Sequence, residues 1–299
     1  MVRLIVGILI FMQTASCMSE DGLERFLDRS LKGRPGCVVV YSLKDKRIIG
    51  ELGDSISLCG LHPPGSLVKI ISALAALDEK IVNWDYRVKC DNRFEWGDTV
   101  YNCCFGGGHG EVDMEKALMV SCNYFFYSLV PLGLTIDMVV GHSEYFGFDN
   151  PPIFRPELPS GKLPDNSIDP FRAVIGLWPS GITVYHVLQM AIIMAAFDRA
   201  EFLPGETVGY IQCNISNFYR VRDALKRGEL PNSRIRYGGK TGTPSVPVQN
   251  GRTHAWFTGW APFDEPEYAI VVFLRDGYGS RDAEPIAREV LSELLIDSN

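Results

Sequence analysis

Residues 36–51, GCVVVYSLKDKRIIGE, decide the fold class, because a β-branched apolar run, a polar turn at 44–46 and a second short run follow one another there. This pattern predicts a β-hairpin. Three further β-rich runs, separated by turn-prone segments, occupy the last third of the chain at 234–243, 254–261 and 268–275. Strands at both ends with helices between them indicate an α+β domain. We expect the N- and C-terminal strands of this chain to form one antiparallel sheet, flanked by helices and a mainly helical subdomain.

Helical periodicity occupies the middle of the chain. Apolar residues recur at helical spacing from Ser66 to Lys80, which predicts a largely buried helix that begins at or beside Ser66. Residues 90–110 are rich in Gly, Asn and Cys and are predicted to be loop. The other predicted helices, each apolar on one face, are 113–120, 124–132, 135–146, 184–198, 217–227 and 282–295.

The composition excludes several classes of protein. The 299 residues include 36 acidic and 29 basic ones, for a formal net charge of −7, and 46% of them are hydrophobic. Such a chain is too apolar to be disordered, too polar to be a polytopic membrane protein and too acidic for general nucleic-acid binding, so we expect no nucleic-acid partner. No linker rich in Ser, Gly or Pro divides it. We therefore expect one domain over 34–299, after a short N-terminal segment at 17–33.

The first residues predict export. Residues 1–16 carry one charge, Arg3, then a nine-residue apolar run and small residues, which is the layout of a signal peptide. The run is too short for a membrane span. The stretch Thr14-Ala15-Ser16-Cys17 resembles a lipoprotein cleavage box, with Thr14 where leucine is usual. Three outcomes stay open: lipid attachment at Cys17, simple cleavage, and an uncleaved signal anchor that would associate the protein with a membrane.

Cysteine usage leaves the thiol chemistry open. Eight cysteines are present, and setting Cys17 aside leaves seven, so they cannot all pair within one chain. Cys90 with Cys103 or Cys104 could close a short loop as a disulfide. The nearby His109 makes a zinc site a second alternative, although the spacing fits no standard zinc pattern, and free thiols are the third. We assign no metal ligand and no cofactor to the chain.

The first stretch with catalytic chemistry is Ser66-Leu67-Val68-Lys69. On a helix, positions i and i+3 share a face, so the Ser66 hydroxyl and the Lys69 amine can come within hydrogen-bond range. Ser66 at the helix start also lies where unpaired backbone N–H groups stabilise an anion. A helix cap followed by a solvated lysine would give the same pattern, but the apolar neighbours of Lys69 favour a buried amine.

Two further stretches add polar groups. Lys240-Thr241-Gly242, preceded by two glycines on a predicted strand, offers a cation, a hydroxyl and accessible backbone along a strand edge. Ser121-Cys122-Asn123 lies between two predicted helices, where Ser and Asn are more often caps than catalysts. The order and spacing of the three stretches carry the argument: Ser66, then Ser121 after 55 residues, then Lys240 after another 119.

This set resembles the penicillin-recognising serine acyltransferases, and its surroundings resemble one family among them, the class B penicillin-binding proteins, which are serine D,D-transpeptidases. Pro64-Gly65-Ser66 with Lys69 matches the family's first motif, and the resemblance covers about 34–295. The other matching stretches are 108–112, 117–118, 121–125, 146–148, Glu157 with 161–164, 239–243 and 254–262.

Two features depart from the family's pattern. The family usually carries a large non-catalytic domain ahead of the transpeptidase domain, and here we expect a short form without that N-terminal pedestal. Residues 175–178 (IGLW) and 183–186 (TVYH) stand where the family has an Ile-Gly-Gln-Gly stretch and a Thr-Pro. These differences affect the substrate groove and the partners rather than the catalytic core.

The resemblance implies a role for each matched residue. Ser66 would attack the carbonyl of the penultimate D-alanine of a peptidoglycan stem peptide. Lys69 would have to be neutral to accept the serine proton, which requires Lys69 to be enclosed and Lys240 to be close. Ser121 would relay a proton to the departing amine, and Asn123 would hold the substrate amide. The remaining implied roles are carboxylate binding by Thr241, Gly242 and Thr243, positive potential from Lys240, and an oxyanion hole formed by backbone N–H groups of Ser66 and Thr243.

The resemblance also implies partners and a location. An amine from a second stem peptide would take the acyl group, β-lactam antibiotics would acylate the serine, and cross-linking would need a glycosyltransferase partner. The expected location is the periplasmic or extracytoplasmic face of the bacterial cytoplasmic membrane.

Several alternatives stay open at this point. They are a D,D-carboxypeptidase, a serine β-lactamase with Glu157 as the candidate base, and a non-catalytic β-lactam sensor or scaffold. A Ser-His scheme with His109 or His254 is disfavoured, because both lie in segments whose relatives use lysine. The aromatic stretch 256–260 favours strand packing over a sugar platform.

Overall fold

A six-stranded antiparallel sheet organises the protein. The computed structural model describes residues 19–179, 181–196, 214–245 and 253–296. The strands, in chain order, are β1 (Gly36–Ser42), β2 (Arg47–Gly53), β3 (Val88–Cys90), β4 (Arg93–Trp96), β5 (Thr99–Asn102), β6 (Gly110–Val112), β7 (Lys226–Glu229), β8 (Arg236–Gly242), β9 (Ala255–Ala261) and β10 (Tyr268–Leu274). Their order in the large sheet is β2-β1-β10-β9-β8-β7. Strands from both ends of the chain are therefore neighbours, and the predicted α+β class is confirmed.

The pairing of β1 with β10 joins the two ends of the sequence. The antiparallel register runs from Gly36 opposite Leu274 to Ser42 opposite Tyr268. Every residue of β1 is buried, as is every residue of β10 after Tyr268. A strand covered on both faces needs apolar side chains at successive positions rather than at alternate ones, which explains the continuous Val38–Val40 run of β1.

Helices cover both faces of the sheet. In chain order they are α1 (Glu20–Leu31), α2 (Ser55–Cys59), α3 (Lys69–Asp78), α4 (Met114–Met119), α5 (Asn123–Leu129), α6 (Ile136–Glu144), α7 (Pro170–Ala173), α8 (Val184–Ala196), α9 (Ile215–Asp223) and α10 (Glu284–Ile296). A 3₁₀ turn, Gly65–Val68, leads directly into α3. The predicted helix therefore does begin beside Ser66, although its first turn is wound more tightly than an α-helix.

Two hydrophobic cores lie on opposite faces of the sheet. Val38 of β1 packs into one core, which also contains leucines of α1 and α10, whereas Val39 packs into the other, with residues of α3, α5 and α8. Adjacent residues of a strand point to opposite faces, so the two cores are separated by the sheet. The candidate catalytic residues lie on the side of the second core, where α3 meets α5 and β8.

Two segments differ from the prediction. Residues 90–110 are not all loop: β4 and β5 form a hairpin of four residue pairs, and β3 pairs with β6 over three. The predicted helix 217–227 ends early, because α9 stops at Asp223 and β7 begins at Lys226. These strands are only three or four residues long, too short for an alternation to be recognised, so their tertiary pairing rather than their local sequence decides their structure.

The N-terminal segment 17–33 contains a helix that the sequence did not reveal. The side chain of Ser19 caps α1 by accepting a hydrogen bond from Gly22 N at 3.2 Å, and Leu27 of α1 is fully buried against the sheet. The predicted signal peptide, Cys17 and residues 197–198 of a predicted helix lie outside the described residues. In the described ranges, no helix combines the length and the apolar character that crossing a membrane requires.

Candidate active site

Ser66 lies in the 3₁₀ turn that leads into α3, and this turn is anchored from two sides. Gly65 N donates to Gly176 O at 3.0 Å, and Trp256 Nε1 of β9 donates to Pro63 O at 3.0 Å. The Ser66 residue itself is half-buried. Its hydroxyl is therefore held on a fixed backbone while the residue stays accessible to a substrate.

Lys69, one helical turn further on, is completely enclosed, with an exposed fraction of 0%. Its Nζ donates to Ser121 O at 2.6 Å, to Ser121 Oγ at 3.2 Å and to Asn123 Oδ1 at 2.5 Å. The expectation that Lys69 is buried is confirmed. Within the described residues, however, the hydrogen bond that the spacing allows between Ser66 and Lys69 is not formed, because the ammonium directs its donors at the Ser121–Asn123 stretch.

Ser121 joins the two candidate lysines. Its Oγ accepts from Lys69 Nζ at 3.2 Å and from Lys240 Nζ at 3.0 Å. The backbone of Ser121 is left-handed, with φ of 57°, a conformation that costs a non-glycine residue about 1–3 kcal/mol. The turn is closed by Cys122 N, which donates to Ala117 O at 2.9 Å. Asn123 is the first residue of α5, so the helix fixes the direction of its side chain.

Lys240 reaches the same site from the sheet. It lies on β8, its exposed fraction is 1%, and its Nζ also donates to Thr241 O at 3.0 Å. The end of β8 contacts the nucleophile's turn, since a Cβ at Gly242 would lie 2.9 Å from Pro64 O. Thr241 is half-buried and Thr243 is exposed, and Thr243 Oγ1 accepts from Gly279 N at 3.0 Å. The closeness of Lys240 expected from the sequence is confirmed.

Burial shifts both lysines toward their neutral forms. Loss of hydration lowers the pKa of Lys69 to about 8. Loss of hydration, followed by the like charge of Lys69, lowers the pKa of Lys240 well below its usual range. Two buried amines that share one acceptor oxygen cannot both be charged at low cost. Lys240 is therefore the amine that burial shifts most strongly toward the neutral form. Lys69, with a pKa of about 8, is neutral in about a tenth of the molecules at pH 7 and in a larger fraction as the pH rises.

Other groups weighed from the sequence lie outside this network. His254 is buried, and its Nδ1 pairs with Arg275 O at 3.1 Å, while burial lowers its pKa. Trp256 and Trp260 are buried in β9, which confirms strand packing over a sugar platform. Glu157 is exposed.

A second group of reactive side chains lies next to the Ser121–Asn123 stretch. Cys90, Cys103, His109 and Cys122 bring their ligand atoms within 4.8 Å of one another. The six cysteines of the described residues are all free, so no disulfide links Cys90 to Cys103 or Cys104. From the sequence we named three members of this group, Cys90, Cys103 and His109, and did not include Cys122. The separations from Cys90 to Cys103 and from His109 to Cys122 match no standard zinc spacing, so no motif indicated the fourth member. The only available signal was that Cys122 stands inside a catalytic motif.

The fold and this arrangement together define a penicillin-recognising serine transpeptidase domain. The family model described as the penicillin binding protein transpeptidase domain matches residues 60–292. The chain therefore belongs to this family, and the resemblance stated from the motifs is confirmed.

Individual relatives agree with this assignment. The chain is 24% identical to the peptidoglycan D,D-transpeptidase MrdA of Haemophilus influenzae, over 91% of this chain and 55% of MrdA. It is 26% identical to the peptidoglycan D,D-transpeptidase PbpA of Mycobacterium tuberculosis, over 78% of this chain and 55% of PbpA. The chain thus spans about half the length of the curated relatives it matches.

Solved structures share the fold. Pseudomonas aeruginosa PBP2, in a crystal structure with WCK 5153, has a TM-score of 0.77 and 23% identity, covering 93% of this chain and 77% of that one. Helicobacter pylori PBP2 in complex with MreC has a TM-score of 0.76 and 20% identity, covering 92% of this chain and 62% of that one.

Proposed function

We propose that the chain is a serine D,D-transpeptidase that cross-links peptidoglycan stem peptides through an acyl-enzyme on Ser66. The observation that carries the proposal is the convergence of Lys69 and Lys240 on the Ser121 hydroxyl, beside the turn that holds Ser66. Membership of the transpeptidase family and curated relatives with this activity support it.

Acylation would transfer an acyl group to Ser66 and the serine proton to the leaving amine. The Ser66 oxygen attacks the carbonyl of the penultimate D-alanine, and its proton passes to the neutral Lys69 amine. Lys69 donates to Ser121 Oγ, so a proton can move through that hydroxyl to the departing nitrogen, and the terminal D-alanine leaves as a free amine. Asn123 would hold the substrate amide, while Thr241, Gly242 and Thr243 would bind the terminal carboxylate. The positive potential expected from Lys240 needs a protonated amine, and burial, which lowers the pKa of Lys240, opposes that form. Backbone N–H groups of Ser66 and Thr243 would stabilise the oxyanion.

Deacylation completes the cycle. The amine of a second stem peptide attacks the ester carbonyl, loses its proton to the catalytic network and releases Ser66 as an alcohol. A carboxypeptidase or a β-lactamase would use water at this step and needs a base aimed at that water. Glu157, the base considered for a β-lactamase, is exposed, which favours the amine acceptor.

The setting belongs to the same proposal. Stem peptides would be the substrates, β-lactams would be covalent inhibitors, and the work would take place outside the cytoplasm, at the periplasmic or extracytoplasmic face of the membrane. A glycosyltransferase would supply strands to be cross-linked. Helicobacter pylori PBP2 was solved in complex with MreC, which supports the expectation that a protein of this fold works in an assembly. Residues 1–16 would direct export, with lipid attachment at Cys17 as one mode of retention.

The mass and lifetime of a penicillin adduct test this proposal. Intact-mass analysis of the purified chain should show one adduct, peptide mapping should locate it on Ser66, and the adduct should persist for minutes to hours. Ser66→Ala should show no adduct, whereas Ser167→Ala, which removes an exposed hydroxyl, should acylate like the unmodified chain. Adduct on another residue would refute the assigned nucleophile, and rapid turnover would indicate a β-lactamase.

A further inference from the structure

Trp96 is an exposed aromatic side chain at the tip of the hairpin formed by β4 and β5. Of the five tryptophans, all of which lie in the described part of the chain, Trp96 is the most exposed, with an exposed fraction of 52%. Trp256 and Trp260, by contrast, are buried in β9. The indole has a large aromatic surface and carries a negative potential on its faces. An exposed indole therefore offers a contact for a ligand that presents C–H groups on one side.

A row of packed aromatic rings holds Trp96 in place. Phe94 precedes Trp96 by two residues, so both side chains lie on the same face of β4. The ring centroid of Phe94 lies 5.3 Å from that of Tyr124 on α5 and 5.7 Å from that of Phe171 on α7. The Trp96 ring lies 6.1 Å from the buried Phe171 ring, at an angle of 50°. The indole is thus fixed before a ligand arrives, which reduces the entropy lost on binding.

The turn at the hairpin tip leaves space beside the indole. Only Gly97 and Asp98 separate β4 from β5, and Gly97 has φ of 57°, the left-handed conformation that tight two-residue turns favour. A Cβ at Gly97 would meet no atom within 4 Å outside its chain neighbours, and Asp98 is exposed. The tip thus combines an apolar ring with a carboxylate that can accept hydrogen bonds from hydroxyl or amide groups.

The polar surroundings of Trp96 favour a carbohydrate over a protein partner. The residues next to Trp96 in the chain are Glu95, Gly97 and Asp98, and Arg93 pairs with Glu95 at 3.4 Å. The cores of protein interfaces are depleted of such charged groups. A sugar ring instead presents C–H groups to the aromatic face and hydroxyl groups to polar neighbours, so one indole beside one carboxylate suits it.

The base of the hairpin contacts the catalytic site from two directions. Cys104 Sγ, two residues after β5, donates to Ser121 O at 3.2 Å. Tyr101 Oη donates to Asp169 Oδ2 at 3.0 Å, and the side chain of Asp169 caps α7. The segment after α7 carries Gly176, which accepts the hydrogen bond from the turn of the nucleophile. The hairpin is therefore continuous with the site that the substrate enters.

The distance from the tip to the catalytic turn corresponds to the length of a stem peptide. Residues 99–104 span at most about 18 Å when fully extended. In a pentapeptide stem, the residues between the sugar and the penultimate carbonyl span about 13–14 Å when extended. If Thr241 binds the terminal carboxylate and Asn123 the amide, the rest of the stem continues past Asn123 toward α5, where Tyr124 contacts the hairpin. The glycan end of the substrate thus comes to the side on which Trp96 lies.

We infer that Trp96 and Asp98 bind a sugar ring of the peptidoglycan glycan strand and so position the attached stem peptide for reaction at Ser66. The ligand is an N-acetylated amino sugar, whose ring C–H groups pack on the indole while a hydroxyl or amide group donates to the Asp98 carboxylate. The inference rests on the proposed function for its substrate, whereas binding of the sugar can be measured without turnover. Trp96 and Asp98 are binding residues that lie away from the reacting atoms.

Glycan fragments from which the stem peptides have been removed test the binding site. Saturation-transfer NMR should show that the purified chain binds them. Trp96→Ala should weaken this binding at least tenfold, and Trp96→Phe, which keeps an aromatic ring, should retain part of it. Val100→Ala removes an exposed side chain from the opposite face of the same hairpin and should bind as the unmodified chain does. No binding by the folded chain, or equal binding by Trp96→Ala, would overturn the site.

Turnover of two substrates tests the positioning of the stem peptide. The ratio of kcat/KM for a stem peptide attached to its disaccharide to kcat/KM for the free stem peptide should fall at least tenfold in Trp96→Ala, through KM more than kcat. The ratio should be unchanged in Val100→Ala. A merely structural role of Trp96 would lower both values together, and an unchanged ratio in Trp96→Ala would overturn the inference. A chain that binds the glycan through Trp96 but processes neither stem peptide would instead refute the proposed function and leave the sugar site standing.

Discussion

Lys69 and Lys240 donate hydrogen bonds to one oxygen, Ser121 Oγ, at 3.2 and 3.0 Å, although they lie on different elements, α3 and β8. Both side chains are withdrawn from water. A hydroxyl between two buried amines can accept from one and donate to the other only if at least one amine is neutral. The shared oxygen thus couples the protonation of the two lysines to each other.

The pH dependence of acylation should report the Lys69 amine. Its pKa is lowered to about 8 by burial, and the neutral form is the one that accepts the Ser66 proton. The rate of acylation by penicillin should therefore rise about tenfold per pH unit below about pH 8 and level off above it. Stopped-flow measurement with a fluorescent penicillin, with the folded fraction followed at each pH, checks this. A flat profile between about pH 6 and 8 would contradict a lysine base.

Removing the shared oxygen should impair acylation more than folding. Ser121→Ala leaves Lys69 with its bonds to Ser121 O and Asn123 Oδ1 but interrupts the path from Lys69 to Lys240. We expect acylation to slow by about 10²–10⁴-fold, the range for loss of a proton-transfer group. Alanine also disfavours the left-handed backbone, so thermal unfolding should be measured with it. Ser128→Ala, on the neighbouring α5, is the matched control, and an equal loss of rate in both variants would contradict the assigned role.

Local sequence predicted the enclosure of Lys69 but not its partners. The apolar neighbours of Lys69 in the chain belong to a buried helix, which periodicity reveals. The hydrogen bonds to Ser121 and Asn123 come from residues 52 and 54 positions later, and no local pattern encodes that approach. That these residues form one site was predicted from the resemblance to a family. In the structure Lys69 donates to Ser121 and Asn123 and not to Ser66, the partner that the spacing allows.

Contacts between distant residues also explain which strands were not predicted. The hairpin 36–51 and the strands β9 and β10 contain strong apolar runs, and they were predicted correctly. The strand β8 has the sequence RYGGKTG and was also predicted, although it has no such run. The strands β3 and β6 have three residues each, too few for a period to be recognised. They nevertheless bring Cys90 to His109, so the four-ligand group depends on the pairing that sequence reading detects least well.

Substrate capture should depend on the Thr241 hydroxyl. Thr241 is half-buried at the end of β8, next to Lys240, where a substrate carboxylate would accept its hydrogen bond. A hydrogen bond to a charged group contributes about 1.5–3 kcal/mol, so Thr241→Val should weaken the apparent binding constant by about 10–100-fold and change the limiting rate much less. Saturation kinetics of acylation separate the two quantities. The control is Thr99→Val on the exposed β5, and a loss confined to the limiting rate would argue against carboxylate binding.

Glu284 should contribute strongly to the free energy of unfolding. It accepts from Arg227 Nε at 2.9 Å, from Arg227 Nη2 at 2.7 Å and from Tyr237 Oη at 2.8 Å, and it is 6% exposed. Glu284→Ala would leave Arg227, whose side chain is 20% exposed, without this partner. Breaking a buried pair costs about 3–5 kcal/mol, and partial exposure of Arg227 favours the lower end. Urea unfolding measures the loss of stability. The control is Glu289→Ala, which removes an exposed carboxylate of the same helix and should change the free energy of unfolding by under about 0.5 kcal/mol. Equal losses of stability in the two variants would contradict the ion-pair argument.

Gly176 should be required for the position of the nucleophile. It lies in the 175–178 stretch that departs from the family's pattern, has φ of 79°, and a Cβ there would lie 2.0 Å from Gly65 O. Gly176→Ala must therefore either displace the turn that carries Ser66 or abandon the Gly65–Gly176 hydrogen bond. Because that turn is the backbone of Ser66, the acylation rate of the folded variant should fall by at least tenfold. Separately, the strained conformation should lower the free energy of unfolding by about 1–3 kcal/mol. Gly141→Ala, on α6, is the matched control, because the added Cβ would meet no atom within 4 Å outside its chain neighbours and the backbone of its own helix. A Gly176→Ala variant that is destabilised but acylates at the unmodified rate would show that the contact with Gly65 supports the fold without setting the position of Ser66.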